Sequence, residues 1–350
     1  MTSTADRADL VTAVDDRLRE VARHIRRSML DALPDGEPSR WLYEPLREYP
    51  ARPGKALRPA LCLSAGAVFG ADPADVWGMA VAIELLHNAF LIHDDIVDCS
   101  EMRRGRPTLT GAYGMAAALN AGDALAVIAG QVLRRTTRRL DRDLADLVWA
   151  EFDTMALRTL EGQAIEVGWQ RENVEGLKPA DYLNLIMHKT CWYTTIHPLR
   201  VGAMIGSGGT ADLGSIVRFG FHFGAAFQIR DDLLNLIGDE RTYGKEILGD
   251  LYEGKRSLTL VHLMDAASSE DRRFLRDFLA RSRSERTEEM VRTVRSLMDD
   301  YGSIEFTQHY AEGILAVAEE YFEEAFSGAR PGPDLDFLRS LVPYVWARWR

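Results

Sequence analysis

Two segments of the chain are apolar on nearly every side of a helix, and they constrain the fold more than any other feature. They are VWGMAVAIELLHNAFLIHDDIVD (residues 76–98) and IVRFGFHFGAAFQIRDDLLNLIG (residues 216–238). A helix without a polar face has to be enclosed by other helices, so we expect both segments at the centre of a helical bundle. Each segment ends in an acidic cluster.

Helical periodicity also dominates the rest of the chain, whereas alternating β-branched runs and Asn-Gly turn signals are scarce. We therefore predict an all-α bundle of about ten or more helices. The predicted helices are residues 7–32, 55–70, 74–98, 113–139, 141–170, 179–206, 210–238, 255–266, 270–282, 285–301, 303–327 and 334–347. Pro198 interrupts a helical pattern, which predicts a break or kink between Lys189 and Pro198.

Composition narrows the class of protein. The 350 residues are 46% hydrophobic and contain no Ser/Gly/Pro-rich linker, so we predict one domain over residues 1–350. The net charge of −11 argues against nucleic acid as a partner. The three cysteines lack metal or disulfide spacing, which favours the cytoplasm. No basic leader and no uncharged apolar stretch of about 18 residues is present, so we expect neither secretion nor a membrane span.

The acidic clusters have the residue types and spacing of a magnesium site. Asp94 and Asp98 are four residues apart, so their carboxylates rise from one helix face, while Asp95 points about 100° round the axis. Gln228, Asp231 and Asn235 also share one face. Solvated acidic helix ends are the alternative. If the two helices face each other, their carboxylates flank a cavity that holds several Mg²⁺ ions against a diphosphate.

Basic residues are grouped close to these acidic clusters. Arg103 and Arg104 follow DDIVD in the loop RRGRPT, where guanidinium groups can grip phosphate oxygens. Lys55 and Arg58 lie in GKALRP. Each of these basic residues taken singly could be an ordinary surface charge, but their grouping near the acidic clusters indicates phosphate binding. His87, seven residues before Asp94, projects from the same face about 10 Å away. That distance suits a second diphosphate subsite, with a core histidine as the alternative.

The ordered motifs GKALRP, HNAFLIHDDIVD, RRGRPT, EGQAIE, HKT, FQIRDDLLN and, after a GK pair, DLYEGKRS resemble those of the trans-polyprenyl diphosphate synthases. The resemblance extends from Gly54 to Ser257. That family includes the farnesyl and geranylgeranyl diphosphate synthases. The resemblance implies an isoprenoid synthase type I fold with a deep central cavity, in a homodimer. It also implies head-to-tail condensation of isopentenyl diphosphate with an allylic diphosphate, with Mg²⁺-assisted release of pyrophosphate.

The resemblance also assigns roles to residues of this sequence. Three Mg²⁺ ions are expected, two on Asp94 and Asp98 and the third on Asp231, with Asp95 and Asp232 completing the metal-binding set. The allylic diphosphate is assigned to Arg103, Lys189 and Lys245. Isopentenyl diphosphate is assigned to Lys55, Arg58, His87 and Arg104. Lys255, in DLYEGKRS, is a further substrate-binding residue. The carbocation site is assigned to the catalytic residues Lys189, Thr190 and Gln228.

Three parts of the sequence depart from the family pattern or lie outside it. Asn235 replaces the commonest third aspartate of the second motif, so metal ligation there is left open. Trp192 and Tyr193 are bulkier than in many members, and helix packing or a cavity wall explains them equally well. At the C-terminus, WARWR brings Arg348 and Arg350 as candidates for capping the site, with a frayed tail as the alternative.

Product length is predicted from Phe90 and Ala89, four and five residues before Asp94. Phe90 lies one turn, about 6 Å, from Asp94 on the same face, and in the family these positions form the floor of the cavity. One aromatic and one small residue predict the twenty-carbon geranylgeranyl diphosphate, with farnesyl diphosphate as the alternative.

Two other classes of protein remain as alternatives to a prenyl diphosphate synthase. A class I terpene cyclase predicts no second-substrate site, and a non-catalytic regulatory subunit predicts damaged acidic clusters.

Overall fold

The computed structural model describes residues 4–238 and 247–347 and confirms the predicted all-α class. Most of this part of the chain is helical. Its α-helices are α1 (Thr4–Ala32), α2 (Glu44–Ala51), α3 (Leu57–Phe69), α4 (Pro73–Val97), α5 (Leu109–Tyr113), α6 (Met115–Thr137), α7 (Arg142–Arg171), α8 (Pro179–Ile186), α9 (His197–Gly206), α10 (Leu213–Ile237), α11 (Gly249–Glu253), α12 (Leu258–Ala266), α13 (Ser269–Leu279), α14 (Glu288–Asp300), α15 (Ser303–Ala325) and α16 (Pro333–Ala347).

The remaining regular elements are short. Ser39–Tyr43 and Met187–Ile196 are π-helical, and Arg283–Glu285 is a 3₁₀ turn. Strands β1 (Met102–Arg103) and β2 (Arg106–Pro107) pair antiparallel, with Met102 opposite Pro107 and Arg103 opposite Arg106. The Arg103–Arg104 loop is therefore a small hairpin.

The chain is not broken between Lys189 and Pro198, where the sequence predicts a break or kink, and continues there in π-helical turns. The expected helix over 179–206 consists of α8, the π-helical Met187–Ile196 and α9. Pro198 lies in the first turn of α9, where a missing N–H is tolerated because those donors have no partner within the helix. The wider π-helical hydrogen bonding just before it keeps the segment helical instead of interrupting it.

The described residues fall into two compact units. The first comprises those within Met1–Met155, Tyr193–Phe219 and Tyr321–Arg350, and the second those within Ala156–Trp192 and Gly220–Glu320. The boundaries fall inside helices α7, α10 and α15 and inside the π-helical segment. One domain over the whole chain stays a prediction.

In the first unit, helix α4 is enclosed as its all-round apolar sequence predicts. Met79 to Ile83 are each at most 3% exposed. Helix α4 packs against α3 and α6, and α3 packs closely against α9. Glycines make the second contact possible, because a Cβ on Gly202 would lie 2.4 Å from the carbonyl oxygen of Cys62.

Helices α4 and α6 are long and apolar enough to cross a membrane by length and composition alone. Of the most apolar window of α4, 72% is buried inside the protein, and the figure for α6 is 44%. The core helix of a bundle meets the same test, so the two helices are weak evidence for a span.

In the second unit, amphipathic helices α13 and α14 contribute a core of buried apolar side chains that includes Phe278, Val291 and Met298. The buried Arg286 satisfies carbonyl oxygens at the end of α13. Its guanidinium donates to the carbonyl oxygens of Phe278 and Leu279, and also to that of Tyr252. These bonds complete helix ends that have no intrahelical partner.

Candidate active site

The acidic end of α4 presents two carboxylates in the first unit. Asp98 caps the helix, with its N–H donating to the carbonyl oxygen of Asp94 at 2.8 Å. The Asp94 side chain is 24% exposed and Asp98 is 7% exposed. In the described part of the chain, no group of three or more His, Cys, Asp or Glu side chains is arranged to hold a metal by itself. Two neighbouring carboxylates fit Mg²⁺, which takes its other ligands from water and substrate oxygens.

Asp95 is committed to protein partners. It is 1% exposed, and it accepts hydrogen bonds from the Tyr49 hydroxyl and from the Arg103 guanidinium, whose Nε lies 2.8 Å away. Burial, together with Asp95, raises the pKa of Tyr49. Burial opposes the charge of Arg103, but Asp95 and Asp94 outweigh it and raise the pKa of Arg103. Asp95 therefore orients Arg103 beside Asp94, 3.8 Å away.

Tyr49 and Arg52 support this arrangement, and sequence reasoning missed both. Arg52 is 4% exposed and donates to the carbonyl oxygens of Arg103 at 3.0 Å and Pro107 at 2.7 Å. Its guanidinium also lies 4.5 Å from the centre of the Tyr49 ring. Helix α2 thus anchors the hairpin that carries Arg103. Prolines in EPLREYP mask this helix in the sequence.

A second cationic group lies in the same unit. Arg58 donates to the Thr194 hydroxyl at 2.8 Å, and its guanidinium is 4.3 Å from the centre of the Tyr193 ring. Arg104 has a left-handed φ of 53° and lies against Gly54, where a Cβ would come within 3.1 Å of the guanidinium. Lys55 is exposed in the loop before α3.

Glu84 is the buried acidic residue associated with this group. It is 5% exposed, and one of its carboxylate oxygens, Oε2, accepts no hydrogen bond. Burial raises the pKa of Glu84, whereas the positive charges of Arg58 and Arg104 lower it. Burial also lowers the pKa of Arg104. Glu84 is therefore electrostatically coupled to both guanidinium groups.

The chain-length candidates differ in their surroundings. Ala89 is fully buried, whereas Phe90 is partly exposed and contacts Tyr193 edge-on, with ring centres 5.7 Å apart. His87, one turn earlier on α4, is 7% exposed and lies 5.8 Å from the same tyrosine ring. Tyr193 therefore connects the second cationic group with Phe90.

The second acidic cluster lies in the second unit, on α10. Asp232 accepts hydrogen bonds from the Tyr182 hydroxyl and from Gln228 Nε2, both at 2.7 Å. Burial, reinforced by the charge of Asp250, raises the pKa of Asp232 to about 7. Asp231 is partly exposed beside it. Asp232 is thus oriented by protein donors much as Asp95 is.

Asn235 has a structural role that its residue type explains. It is 2% exposed, and its side-chain oxygen accepts the N–H of Asp250 at 3.0 Å. Its carbonyl oxygen accepts the N–H of Leu248 at 2.8 Å. An amide makes the first contact without adding another charge beside Asp231, Asp232 and Asp250.

The predicted substrate lysines differ in how they are held. Lys255 pairs with Glu253 at 2.6 Å and lies 3.6 Å from Asp250. Lys189 pairs with Glu166, the last residue of EGQAIE. Thr190 beside it is 8% exposed. Lys245 lies outside the described residues, as do Arg348 and Arg350, so their assignments stay predictions.

Gly162, in the same motif, permits the close approach of α7 to the lysine. A Cβ on Gly162 would lie 2.2 Å from the backbone nitrogen of Lys189 and 2.5 Å from its Cα. The motif EGQAIE thus supplies both the contact surface and the counter-charge for Lys189. Sequence reasoning recognised the motif but missed Glu166 and Gly162 as individual residues.

Comparison with known proteins agrees with this chemistry. A family model described as polyprenyl synthetase matches residues 39–298. The chain is 32% identical over 270 residues to the short chain isoprenyl diphosphate synthase of Methanothermobacter thermautotrophicus, which covers 77% of this chain and 80% of that protein.

Solved structures share the fold over nearly the whole chain. The geranylgeranyl pyrophosphate synthetase of Pyrococcus horikoshii is similar with a TM-score of 0.83 at 29% identity, covering 95% of this chain and 98% of that one. The polyprenyl synthase of Caulobacter crescentus, complexed with calcium and isoprenyl diphosphate, has a TM-score of 0.82 at 26% identity, with 96% and 98% covered.

The all-α fold is therefore that of the isoprenoid synthases, as predicted. The chain belongs to the polyprenyl synthetase family and is a prenyltransferase that elongates prenyl diphosphates. These findings confirm the predicted family, enzyme class and type of reaction.

Proposed function

We propose that the enzyme condenses isopentenyl diphosphate head to tail with an allylic diphosphate and that its main product is geranylgeranyl diphosphate. The observation that carries this proposal is that the cations of the first unit have two different carboxyl partners, Asp95 and Glu84. Arg103 is held beside Asp94 by Asp95, whereas Arg58 and Arg104 are associated with Glu84. Two groups suit two diphosphate substrates, and a cyclase acting on one substrate leaves the second without a role.

The proposal assigns two of three Mg²⁺ ions to Asp94 and Asp98 and the third to Asp231. Their carboxylates fit a hard cation that also accepts phosphate oxygens. When bound, such ions neutralise charge on a departing pyrophosphate. Asp95 and Asp232 support the site by orienting their neighbours, since both accept hydrogen bonds from protein donors.

The remaining residues act by positioning and charge. Arg103, Lys189 and Lys245 hold the allylic diphosphate, and the pocket around its reacting carbon is formed by Lys189, Thr190 and Gln228. Lys55, Arg58, His87 and Arg104 hold isopentenyl diphosphate, with Lys255 contributing to substrate binding. The double bond of isopentenyl diphosphate attacks the ionised allylic carbon, and an oxygen of the released pyrophosphate takes the departing proton. Preoriented charge and proximity account for the catalysis.

The decisive experiment supplies isopentenyl diphosphate with each allylic diphosphate in turn and identifies the products by mass spectrometry. We expect consumption of both substrates and mainly twenty-carbon product. Asp94→Ala and EDTA should each remove nearly all of the activity. His87→Ala should raise KM for isopentenyl diphosphate much more than KM for the allylic substrate. A hydrocarbon formed without isopentenyl diphosphate would support the cyclase instead.

Product length rests on Phe90 and Ala89 together with the similarity to a geranylgeranyl pyrophosphate synthetase. One aromatic side chain beside one small residue leaves room for a product of intermediate length. Mainly fifteen-carbon product in the same assay would favour farnesyl diphosphate synthase.

The proposed assembly is a homodimer in the cytoplasm. Helix α6 exposes three large apolar side chains, Met115 at 60%, Leu119 at 50% and Val127 at 62%. Exposed apolar surface on a long helix favours self-association, and the three free cysteines suit a reducing compartment. Light scattering should give twice the 39.3 kDa chain mass, and Leu119→Lys with Val127→Lys should give the monomer. A wild-type monomer would contradict the dimer.

A further inference from the structure

The ring of Tyr193 contacts three side chains of the first unit, an arrangement that the sequence does not reveal. It lies in the π-helical Met187–Ile196 segment and is partly buried. Three side chains surround its ring. The Arg58 guanidinium lies 4.3 Å from the ring centre, His87 lies at 5.8 Å, and Phe90 meets it nearly perpendicular at 5.7 Å.

The first contact positions the guanidinium group of Arg58. A guanidinium over an aromatic face is attracted by the negative face of the ring. The adjacent Thr194 hydroxyl accepts a hydrogen bond from the same guanidinium at 2.8 Å. The Nε of Arg58 is buried and makes no hydrogen bond. The orientation of Arg58 therefore depends on two consecutive residues of the π-helical segment.

The second contact holds Phe90. An edge-to-face pair at 89° is a favoured aromatic geometry, and it restricts rotation of both rings. Phe90 is partly exposed, so it lacks the all-round packing that holds Ala89. Without the Tyr193 ring, Phe90 can adopt other rotamers and leave more space along α4.

We propose that Tyr193 is a positioning residue that couples the binding of isopentenyl diphosphate, through Arg58, to product length, through Phe90. This inference rests on the proposed function, which gives Arg58 and Phe90 their roles. Tyr193 acts through these two side chains, and its ring is the part that matters because both contacts are made by the ring.

The test compares Tyr193→Leu with Tyr193→Phe as the matched control. Loss of the ring in Tyr193→Leu should raise KM for isopentenyl diphosphate roughly fivefold, with KM for the allylic substrate within about twofold of wild type. The product distribution should shift toward longer chains. Tyr193→Phe keeps the ring and should restore both properties. Thermal unfolding of each variant checks that it folds.

Thr194→Val separates the two effects and serves if Tyr193→Leu does not fold. It removes the hydroxyl that accepts from Arg58 but leaves the ring against Phe90. KM for isopentenyl diphosphate should rise roughly tenfold with an unchanged product distribution. In the Phe90→Ala background, Tyr193→Leu should lengthen the product little further, because both changes remove the same constraint.

Distinct results would overturn the inference and the proposed function. An active wild type, with Tyr193→Leu giving the same products and the same ratio of the two KM values, overturns the role of Tyr193 alone. Equal defects in Tyr193→Phe and Tyr193→Leu overturn the role of the ring. If Tyr193→Leu does not fold, a Thr194→Val enzyme with unchanged KM overturns the link to Arg58. A wild type without condensation product overturns the proposed function and this inference with it.

Discussion

Replacing Gly162 by Ala should damage the enzyme through the backbone of Lys189. The added Cβ would lie 2.2 Å from the Lys189 nitrogen and 2.5 Å from its Cα. Unbonded carbon atoms pack at about 3.5–4.0 Å, so the two segments must separate by about 1 Å. The contacted atoms belong to the backbone and cannot rotate away. The lysine and its pair with Glu166 must therefore move together with the segment.

Gly168 provides a matched control on the same helix, because a Cβ there would meet nothing within 4 Å. Alanine in a helix interior is favoured over glycine by about 1 kcal/mol, so Gly168→Ala should raise the free energy of unfolding by up to that amount. Gly162→Ala gains the same propensity but adds an overpacking cost of about 1–3 kcal/mol. The free energy of unfolding of Gly168→Ala should therefore exceed that of Gly162→Ala by up to about 3 kcal/mol.

Urea unfolding followed by circular dichroism measures the stability difference, and steady-state kinetics measures the consequence for Lys189. A displacement of about 1 Å in a positioned group can reduce the rate about a hundredfold, so kcat/KM for the allylic substrate should fall by that order in Gly162→Ala. The control should keep wild-type kinetics. If Gly162→Ala matched the control in both stability and kcat/KM, the close approach of α7 to Lys189 would be wrong.

Two further predictions concern product length and acid stability. Phe90→Ala should lengthen the main product by at least one five-carbon unit, and an unchanged distribution in a folded, active variant would remove Phe90 as the floor. His197 is buried beside the Glu151–Arg200 pair, and burial lowers its pKa from 6.5 to about 4. Between these pH values the unfolded chain binds a proton that the folded protein does not. The contribution of His197 to the free energy of unfolding is therefore fully present above pH 6.5, and about 3 kcal/mol of stability is lost by pH 4. Urea midpoints at pH 7 and pH 4 should differ less in His197→Gln, and an equal loss in both proteins would contradict this assignment.

The sequence predicted the long helices because their apolar pattern is strong and local. Helix α4 was expected at 74–98 and spans Pro73–Val97, and α10 was expected at 210–238 and spans Leu213–Ile237. Helix α2 was not predicted, because Pro45 and Pro50 resemble a loop signal. Tertiary contacts outweigh that signal. One of them is the hydrogen bond from Tyr49, which no local pattern reveals.

The candidate site was predictable as a set of residue types and only partly as an arrangement. The motifs identified the charged residues, but spacing along one helix cannot show which partner from elsewhere in the chain each will have. Asp95 with Tyr49 and Lys189 with Glu166 are such pairs. Asn235 is the clearest case. The sequence marked it as a departure from the family pattern, and the structure shows that its side-chain oxygen accepts the N–H of Asp250.

These pairings follow one electrostatic rule. Four of the cations assigned to substrate are held by protein groups. The partners are carboxylates for Arg103, Lys189 and Lys255, and the Tyr193 ring with the neighbouring Thr194 hydroxyl for Arg58. Such groups need little reorganisation when charge develops on a departing pyrophosphate, and that is how fixed dipoles and charges lower a barrier. The same rule explains why Glu84 is tolerated inside the bundle. The positive charges of Arg58 and Arg104 reduce the cost of burying its carboxyl group without cancelling it. Glu84→Gln, which keeps the shape of the side chain, should therefore raise KM for isopentenyl diphosphate in steady-state kinetics while leaving KM for the allylic substrate unchanged. An equal change in both KM values would contradict this role of Glu84.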